Sequence, residues 1–244
     1  MKALILAAGR GSRLLSLTDD RPKGLTLLKG KTLIERQVSS LQAAGIKTIA
    51  AATGYLSEKI TPYICEQYVN KRWSETNMVS SLINARAFCE DHDCIVTYSD
   101  IIYGSNIVTA LINEPGDIVV AYDPNWLQQW QVRFDNPLDD AETFSIDDAG
   151  RLLEIGDKTD NLDDIQGQYM GLIKLSPKGM QHILNATQDM SPKALDKLDM
   201  TALLQHLINL DITINTIANK EFWFEIDDQK DLAVCEKLLP QFLE

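Results

Sequence analysis

The sequence feature that most restricts the fold is an apolar run at the amino terminus that breaks into a glycine loop. Residues 2–8 are mostly apolar, and Gly9-Arg10-Gly11-Ser12-Arg13 follows at once, as when a buried parallel strand ends. In open α/β sheets, ligands bind at that edge. Two glycines allow close approach to a phosphate and turn backbone N–H groups toward its oxygens. With Arg13 and Lys23 as cations, the segment is predicted to bind a nucleotide.

The loop fits neither of two familiar phosphate-binding motifs. G-x-G-x-x-G would need glycine in place of Leu14, and no G-K-[ST] follows. The order instead resembles the signature of the nucleotidyltransferases: a strand ending in L-A-A-G, then G-x-R, then the pair Pro22-Lys23. The resemblance implies nucleotide contacts by eight residues: Leu6, Ala7, Ala8, Gly9, Gly11, Ser12, Arg13 and Lys23. It also implies catalytic roles for Arg13 and Lys23; the alternative is an ordinary turn with surface cations.

Composition limits the class of protein. With 244 residues, 45% of them hydrophobic, the chain can bury one core, so we expect a single domain over 1–244. A formal net charge of −12 argues against a nucleic-acid or membrane surface. The four cysteines lack C-x-x-C spacing, which favours reduced thiols over zinc. With no signal peptide and no membrane-length apolar run, a soluble cytoplasmic protein is expected.

The next segments predict the fold class. Thr32 with Glu35 forms a capping box for an amphipathic helix that stops at Gly45, and Ile46 to Thr53 is typical of a second buried strand. A further helix is predicted from about Ser57. Repeated strand–helix units indicate an α/β fold with a doubly wound, mostly parallel sheet. The resemblance implies the Rossmann-like nucleotidyltransferase version, with a small acceptor-binding β insertion at about 123–170.

Two aspartates are candidates for a metal site. Asp100 closes the apolar strand Cys94 to Ser99 at the same sheet edge as the glycine loop, where a carboxylate can hold Mg²⁺ between phosphates. In Phe222 to Asp227, alternation places Trp223, Glu225 and Asp227 on one face if the segment is a strand. The resemblance implies that Asp100 and Asp227 bind the metal. Helix or turn capping is the alternative for each.

Other residues are candidates for the two substrate pockets. The resemblance implies that Asn77, Ser80 and Ser81 contact the base or ribose of the nucleotide, although simple helix capping is equally open. It implies acceptor contacts by Lys158 and Tyr169, with a solvated hairpin lysine as the alternative for Lys158. Trp126, Trp130 and Trp223 are predicted to offer ring faces to the acceptor beside the acidic run 139–142, or else only to pack the insertion.

The whole pattern most resembles the phosphocholine-type cytidylyltransferases, including relatives acting on aminoethylphosphonate or glutamine phosphate. The implied activity is transfer of CMP from CTP to a small phosphorylated, nitrogen-bearing acceptor, with Mg²⁺ as cofactor and pyrophosphate released, for decoration of a surface polysaccharide or lipid. A sugar-1-phosphate enzyme using UTP or dTTP and a non-catalytic nucleotide sensor are the alternatives. Neither the acceptor nor the oligomeric state is predicted.

Overall fold

The apolar run at the amino terminus forms a central strand that is covered on both faces. Residues 2–7 pair in parallel with 49–53 on one side and with 94–98 on the other. Leu4 and Leu6 point into one hydrophobic cluster, whereas Ala3 and Ile5 point into the cluster on the opposite face. A strand buried on both faces needs a continuous apolar run rather than an alternating one. The computed structural model describes residues 1–239.

The elements are numbered in chain order. The strands are β1 (Lys2–Ala7), β2 (Leu27–Leu28), β3 (Lys31–Thr32), β4 (Ile49–Thr53), β5 (Glu66–Val69), β6 (Cys94–Tyr98), β7 (Ile101–Tyr103), β8 (Ile118–Asp123), β9 (Phe144–Ile146), β10 (Leu152–Ile155), β11 (Gln168–Leu175), β12 (Asn215–Ala218) and β13 (Trp223–Glu225). The α-helices are α1 (Leu33–Ala43), α2 (Met78–Asn84), α3 (Arg86–Cys89), α4 (Ser105–Asn113), α5 (Trp126–Arg133), α6 (Pro177–Thr187), α7 (Pro192–Lys197), α8 (Met200–Asn209) and α9 (Gln229–Leu238). Short 3₁₀ turns cover Ser12–Thr18, Lys23–Leu25, Ser57–Lys59, Thr61–Tyr63, Pro137–Asp139 and Leu162–Asp164.

The main sheet confirms the predicted fold class. Within residues 1–239 it has seven strands in the order β12-β8-β11-β6-β1-β4-β5, and β11 runs antiparallel to both of its neighbours. The other pairs in the sheet are parallel. The carboxyl ends of β1 and β6 therefore meet at one edge, where the glycine loop and Asp100 follow them. That convergence positions the site.

The capping residues explain where several helices begin. Thr32 and Glu35 form the predicted capping box at α1, because the Thr32 hydroxyl accepts from the Glu35 N–H and the Glu35 carboxylate accepts from the Thr32 N–H. At α6, the Ser176 hydroxyl accepts from the Gly179 N–H, and Pro177 occupies the first position of the helix. Among residues 1–239, no helix combines the length and the apolar composition needed to cross a membrane.

Two details differ from the predicted organisation. The helix expected from about Ser57 is absent among the described residues: two 3₁₀ turns lead directly into β5, and Pro62 lies in the second turn, where it removes a backbone donor. The predicted β insertion at about 123–170 contains the β9–β10 hairpin and also a helix, α5. The extent of a single domain over 1–244 stays a prediction, and its last residues, 240–244, lie outside the described chain.

Candidate active site

The glycine loop and Lys23 fit against each other. Gly11 has φ +75°, and a Cβ added there would lie 2.6 Å from the Cβ of Lys23. This position therefore requires glycine for its backbone conformation and for its close contact. The carbonyl of Ala8 accepts the N–H of Tyr55 at 3.0 Å, which ties the loop to the segment after β4. Lys23 begins a 3₁₀ turn directly after Pro22 and is held beneath the loop.

The two predicted metal-binding aspartates meet at Lys23. Its Nζ lies 2.7 Å from Oδ2 of Asp100 and 2.6 Å from Oδ1 of Asp227. Asp100 follows β6 and Asp227 follows β13, and the carbonyl of Asp100 accepts the N–H of Ile226 at 2.9 Å. Asp228, not Asp227, caps α9, since its side chain accepts from the N–H of Asp231. The carboxylate of Asp227 is therefore left to the cluster of charged groups.

Two arginines complete that cluster. Nη2 of Arg13 lies 2.7 Å from Oδ1 of Asp227, and the buried Arg133 contacts Glu225, Asp227 and Asp231 at 2.9, 3.1 and 3.1 Å. Three cationic side chains thus face four carboxyl groups, counting Asp100, in the contacts among residues 1–239. One negative charge is left uncompensated. Such an excess favours either protonation of one carboxyl group or binding of a further cation.

The carboxyl groups also have the geometry of a divalent-cation site. One oxygen each from Asp100, Glu225 and Asp227 lie within 4.8 Å of one another. Oδ1 of Asp100 is buried and makes no hydrogen bond to any described residue. Hard carboxylate oxygens of this kind are the ligands that Mg²⁺ prefers. The residues fit a magnesium ion, and Glu225 is a third candidate ligand that sequence reasoning placed on the correct face without assigning it a role.

Burial and the neighbouring charges shift the pKa values of the cluster. Burial opposes the charge of Lys23, but Asp100 and Asp227 outweigh it and raise the pKa of Lys23. Burial also opposes the charge of Asp227, yet Lys23, Arg13 and Arg133 together lower its pKa. For Glu225, burial and then the charge of Asp227 raise the pKa to about 8, against the opposing effect of Arg133. Glu225 therefore carries the excess proton of the cluster near neutral pH.

Glu225→Gln is expected to stabilise the metal-free protein at alkaline pH. The pKa of Glu225 rises from 4.5 to about 8 on folding, so between these values the folded state binds more protons and the free energy of unfolding falls as pH rises. Glutamine removes this penalty. In EDTA, the Tm of the variant should exceed that of the wild type by a few degrees at pH 9, with a smaller difference at pH 5. An equal Tm difference at both pH values would contradict this assignment.

A first cavity lies between the glycine loop and α2. Its volume is about 180 Å³. The lining residues are Leu6, Ala8, Gly9, Gly11, Lys23, Trp73, Thr76, Asn77, Met78, Ser81, Tyr98, Ser99 and Asp100. The loop and the charged cluster form one end, while Trp73 and the start of α2 form the other. This shape can hold phosphates at the loop and a base at the far end.

The structure distinguishes the residues predicted to read the base. Asn77 lines the cavity and also caps α2, because its Oδ1 accepts from the Met78 N–H at 2.8 Å. Ser80 points elsewhere and donates to the carbonyl of Leu195 at 3.3 Å, whereas Ser81 lines the cavity. Successive helical residues differ by about 100° in direction, so the two adjacent serines face different surroundings, and Ser81 is the one that faces the cavity. Trp73 is a cavity residue that sequence reasoning missed.

A second cavity, of about 260 Å³, lies on the other side of the cluster. Its lining residues are Arg13, Met78, Tyr98, Trp130, Asp140, Glu142, Thr143, Phe144, Ile155, Gln168, Tyr169, Asp199, Met200, Thr201, Glu225 and Asp227. Aromatic rings and carboxylates therefore share one wall, as expected for the acceptor side. The two cavities share Met78 and Tyr98, so they adjoin at the cluster.

Not all of the predicted acceptor residues reach this cavity. Trp130 and Tyr169 line it. Trp126 and Trp223 are each only 4% exposed and pack in the core, where their indole N–H groups donate to Ile165 and Asp123. Lys158 is exposed and donates to the carbonyl of Asp140 at 2.9 Å. The correction for the two tryptophans has a physical reason, because a buried indole needs only one acceptor to be satisfied inside the core.

Comparison with known proteins identifies the family and supports the fold. The family model described as a MobA-like NTP transferase domain matches residues 3–159. CTP:phosphoglutamine cytidylyltransferase from Campylobacter jejuni is 34% identical, over 96% of this chain and 98% of that protein. The solved structure of CTP:phosphocholine cytidylyltransferase from Streptococcus pneumoniae superposes with a TM-score of 0.73 at 20% identity, over 98% of this chain and 99% of that chain. The inositol-1-phosphate CTP transferase from T. maritima superposes with a TM-score of 0.78 at 19% identity, over 97% and 94%.

The last two similarities concern the fold alone, because their sequence identities are low. The family model and the Campylobacter jejuni relative show more than the fold. The family model covers more than half of the chain, and the relative aligns with nearly all of it. They confirm the resemblance and the enzyme class predicted from the glycine loop. This chain belongs to the MobA-like NTP transferase family and is a nucleotidyltransferase.

Proposed function

We propose that the enzyme transfers CMP from CTP to the phosphate of a small, nitrogen-bearing acceptor and releases pyrophosphate. The observation that carries this proposal is the meeting of two cavities at one cluster of charged groups, with the glycine loop on one side and the aromatic and acidic wall on the other. A transfer between two substrates needs such a junction. The choice of CTP is supported by the Campylobacter jejuni relative, whose similarity extends over nearly the whole chain.

The reaction needs no nucleophilic side chain. An acceptor phosphate oxygen attacks the α-phosphorus of CTP in line, a new P–O bond forms, and the bond from the α-phosphorus to the bridging oxygen of the β-phosphate breaks. The electron pair leaves with pyrophosphate. An ionised acceptor phosphate is already a competent nucleophile near neutral pH. The enzyme therefore contributes mainly alignment and charge stabilisation.

Lys23 and Arg13 supply the cationic charge in this proposal. Lys23 remains protonated because its carboxylate partners raise its pKa, and it lines the nucleotide cavity beneath the loop. The Arg13 side chain is 66% exposed at the mouth of the acceptor cavity, which leaves it able to turn toward a phosphate. The backbone N–H groups of the loop add fixed partial positive charge.

Asp100, Glu225 and Asp227 would hold a magnesium ion, for which their oxygens are suitably arranged. When bound, Mg²⁺ supplies Lewis-acid stabilisation of phosphate charge. The chain itself places these carboxylates through β13, which pairs antiparallel with β7 directly after Asp100, so that Glu225 lies opposite Ile101. The hydrogen bond from the N–H of Ile226 to the carbonyl of Asp100 keeps the two strand ends together.

The proposed acceptor class is supported by the chemistry of the second cavity. Asp140, Glu142 and Asp199 present carboxylates there, and Trp130, Tyr98 and Tyr169 present rings. Trp130 donates from Nε1 to Oδ2 of Asp140 at 3.1 Å, which fixes one carboxylate beside a ring. Acidic groups and aromatic faces favour an ammonium or amide group over a purely hydroxylated ligand.

A substrate matrix tests the proposal. Four nucleoside triphosphates are each incubated with phosphorylated amines, phosphorylated amino-acid amides, aminoalkyl phosphonates and hexose 1-phosphates, and pyrophosphate release is measured. We expect release with CTP and a nitrogen-bearing acceptor. Turnover of hexose 1-phosphate with UTP or dTTP alone would overturn the acceptor and nucleotide assignments. Nucleotide binding without pyrophosphate release from any pair would instead indicate a sensor.

Glu142→Gln is expected to weaken acceptor binding selectively. Glu142 lines the acceptor cavity, and Gln168 holds its backbone through both the N–H and the carbonyl. Loss of one charged hydrogen bond weakens binding by about 1.5–3 kcal/mol, so the acceptor KM should rise roughly tenfold or more while that for CTP stays nearly unchanged. The exposed Glu154 offers a matched control as Glu154→Gln. Equal rises in both KM values for Glu142→Gln would count against this role.

A further inference from the structure

Arg133 occupies an unusual position for a charged residue. It ends α5, and its side chain is fully buried, with 0% exposure. Its guanidinium lies 5.2 Å from the ring centre of Trp130 and 5.0 Å from that of Phe134. Burying an arginine is expensive unless every charged N–H group finds a partner. The contacts of Arg133 therefore indicate what the burial achieves.

The guanidinium connects three carboxylates. Nη1 donates to Oε2 of Glu225 at 2.9 Å, and Nη2 donates to Oδ2 of Asp227 at 3.1 Å. Nε and Nη2 both donate to Asp231, at 3.1 and 3.2 Å, in a two-point contact. Arginine has a planar fork of donors that fixes the direction as well as the distance of its partners. The guanidinium of Arg133 therefore binds the carboxylates of Glu225 and Asp227, which are two of the three candidate magnesium ligands.

Asp231 anchors this arrangement to α9. Its Oδ2 accepts the backbone N–H of Asp227 at 3.0 Å, and its own N–H donates to the capping carboxylate of Asp228 at 2.9 Å. Arg133 and Asp231 thus fix Asp227 through its side chain and its backbone. They join α5, the end of β13 and the first turn of α9 into one unit.

We infer that Arg133 is a positioning residue that sets the carboxylates of Glu225 and Asp227 for a divalent cation. The inference rests on the proposed function of the carboxylate cluster. Arg133 makes its contacts through the carboxylates and does not line either substrate cavity. Without the fork, the two carboxylates lose their common orientation, so the cation gains fewer ligands in the required geometry. Residues that orient metal ligands in this way typically change metal affinity by about 10- to 100-fold when replaced.

This role can be separated from simple charge compensation. If Arg133 served only to offset negative charge, Arg133→Met would tighten cation binding, because one repulsive positive charge is removed. Arg133→Lys would then have little effect, since the charge is kept. If Arg133 instead positions the carboxylates, both variants should bind the cation more weakly, because neither lysine nor methionine has the planar fork of donors.

The test measures Mn²⁺ binding to the full-length protein without nucleotide, by the electron paramagnetic resonance signal of free Mn²⁺. We expect Arg133→Lys and Arg133→Met to weaken binding by about tenfold or more. Trp126→Phe is the control, because it removes a buried hydrogen bond from the same helix to Ile165 and leaves the carboxylates in place. It should lower Tm without changing Mn²⁺ affinity. Steady-state kinetics should show a rise in the metal concentration needed for half-maximal rate in the Arg133 variants alone.

A second variant keeps the test decisive if Arg133 variants fold poorly. Asp231→Glu conserves charge at the third position of α9 but shifts the carboxylate that anchors Arg133, so it should also weaken Mn²⁺ binding. Wild-type Mn²⁺ affinity in Arg133→Lys, or in Asp231→Glu where the former does not fold, would overturn the inference. Failure of the wild-type protein itself to bind Mn²⁺ would instead overturn the proposed metal site.

Discussion

Replacing Asp227 by asparagine is expected to lower kcat by on the order of a hundredfold or more while the protein stays folded. Asp227 contacts Lys23, Arg13 and Arg133, so its carboxylate links every cation of the cluster as well as serving as a candidate metal ligand. Asparagine retains the shape but loses the charge. Initial rates of pyrophosphate release at saturating CTP, acceptor and Mg²⁺ measure the loss, and circular dichroism checks the fold.

Asp100→Asn should behave in the same way, because the two carboxylates share Lys23 and lie within reach of one cation. The neighbouring residue provides a matched control. Asp228 caps α9 and is absent from the charged contacts of the cluster, and asparagine is as good a capping residue as aspartate. Asp228→Asn should therefore retain nearly full turnover. Near-wild-type kcat in either Asp100→Asn or Asp227→Asn would remove that residue from the reaction centre.

Lys23→Ala is expected to reduce kcat by roughly a hundredfold and to raise the KM for CTP much less. Lys23 is buried, protonated and placed between the loop and the carboxylates. In the proposed reaction, charge on the transferring phosphate develops beside it in the transition state. An interaction that strengthens in the transition state appears mainly in kcat, and one directed donor contributes about 10²–10³ in rate. Full kinetics with CTP as the varied substrate separate the two constants.

Arg10→Met serves as the control for Lys23, because Arg10 is a cation of the same loop that pairs with Asp19 on the surface. Its loss should change kcat little. If Lys23→Ala changed only the KM for CTP, Lys23 would bind ground state and transition state equally and would have no specific effect on the chemical step.

The sequence was informative where strand ends and fixed spacings determine the geometry. The glycine loop and Asp100 follow the parallel strands β1 and β6, whose carboxyl ends meet at one edge, so their proximity could be predicted from the chain alone. Asp227 reaches them by another route, because β13 pairs antiparallel with β7 and places Glu225 opposite Ile101. Glu225 carried a signal as well, since alternation put it on the face of Asp227. Their roles in the reaction stay predictions.

Other parts of the site had no local pattern to reveal them. Arg133 lies 94 positions before Asp227, in a helix within an irregular insertion. Trp73 lies in the turn before α2, where no periodicity indicates its direction. The choice between Ser80 and Ser81 depends on helix phase, and the choice between core and pocket for Trp126 and Trp223 depends on a single buried acceptor. Such features are set by tertiary packing.

The sequence distance between Lys23 and Asp227 also determines when the site can assemble during synthesis of the chain. Lys23 and Asp227 are in direct contact although 204 positions separate them. Asp231, which binds Arg133 in the same cluster, comes later still in the sequence. A growing polypeptide can form the glycine loop and β1 early, but the cluster of charged groups around Asp227 cannot assemble until Asp231 in α9 has been synthesised. Incomplete chains that end before β13 would carry the glycine loop without Asp227, and under the proposed function they would have no means of turning over a captured triphosphate.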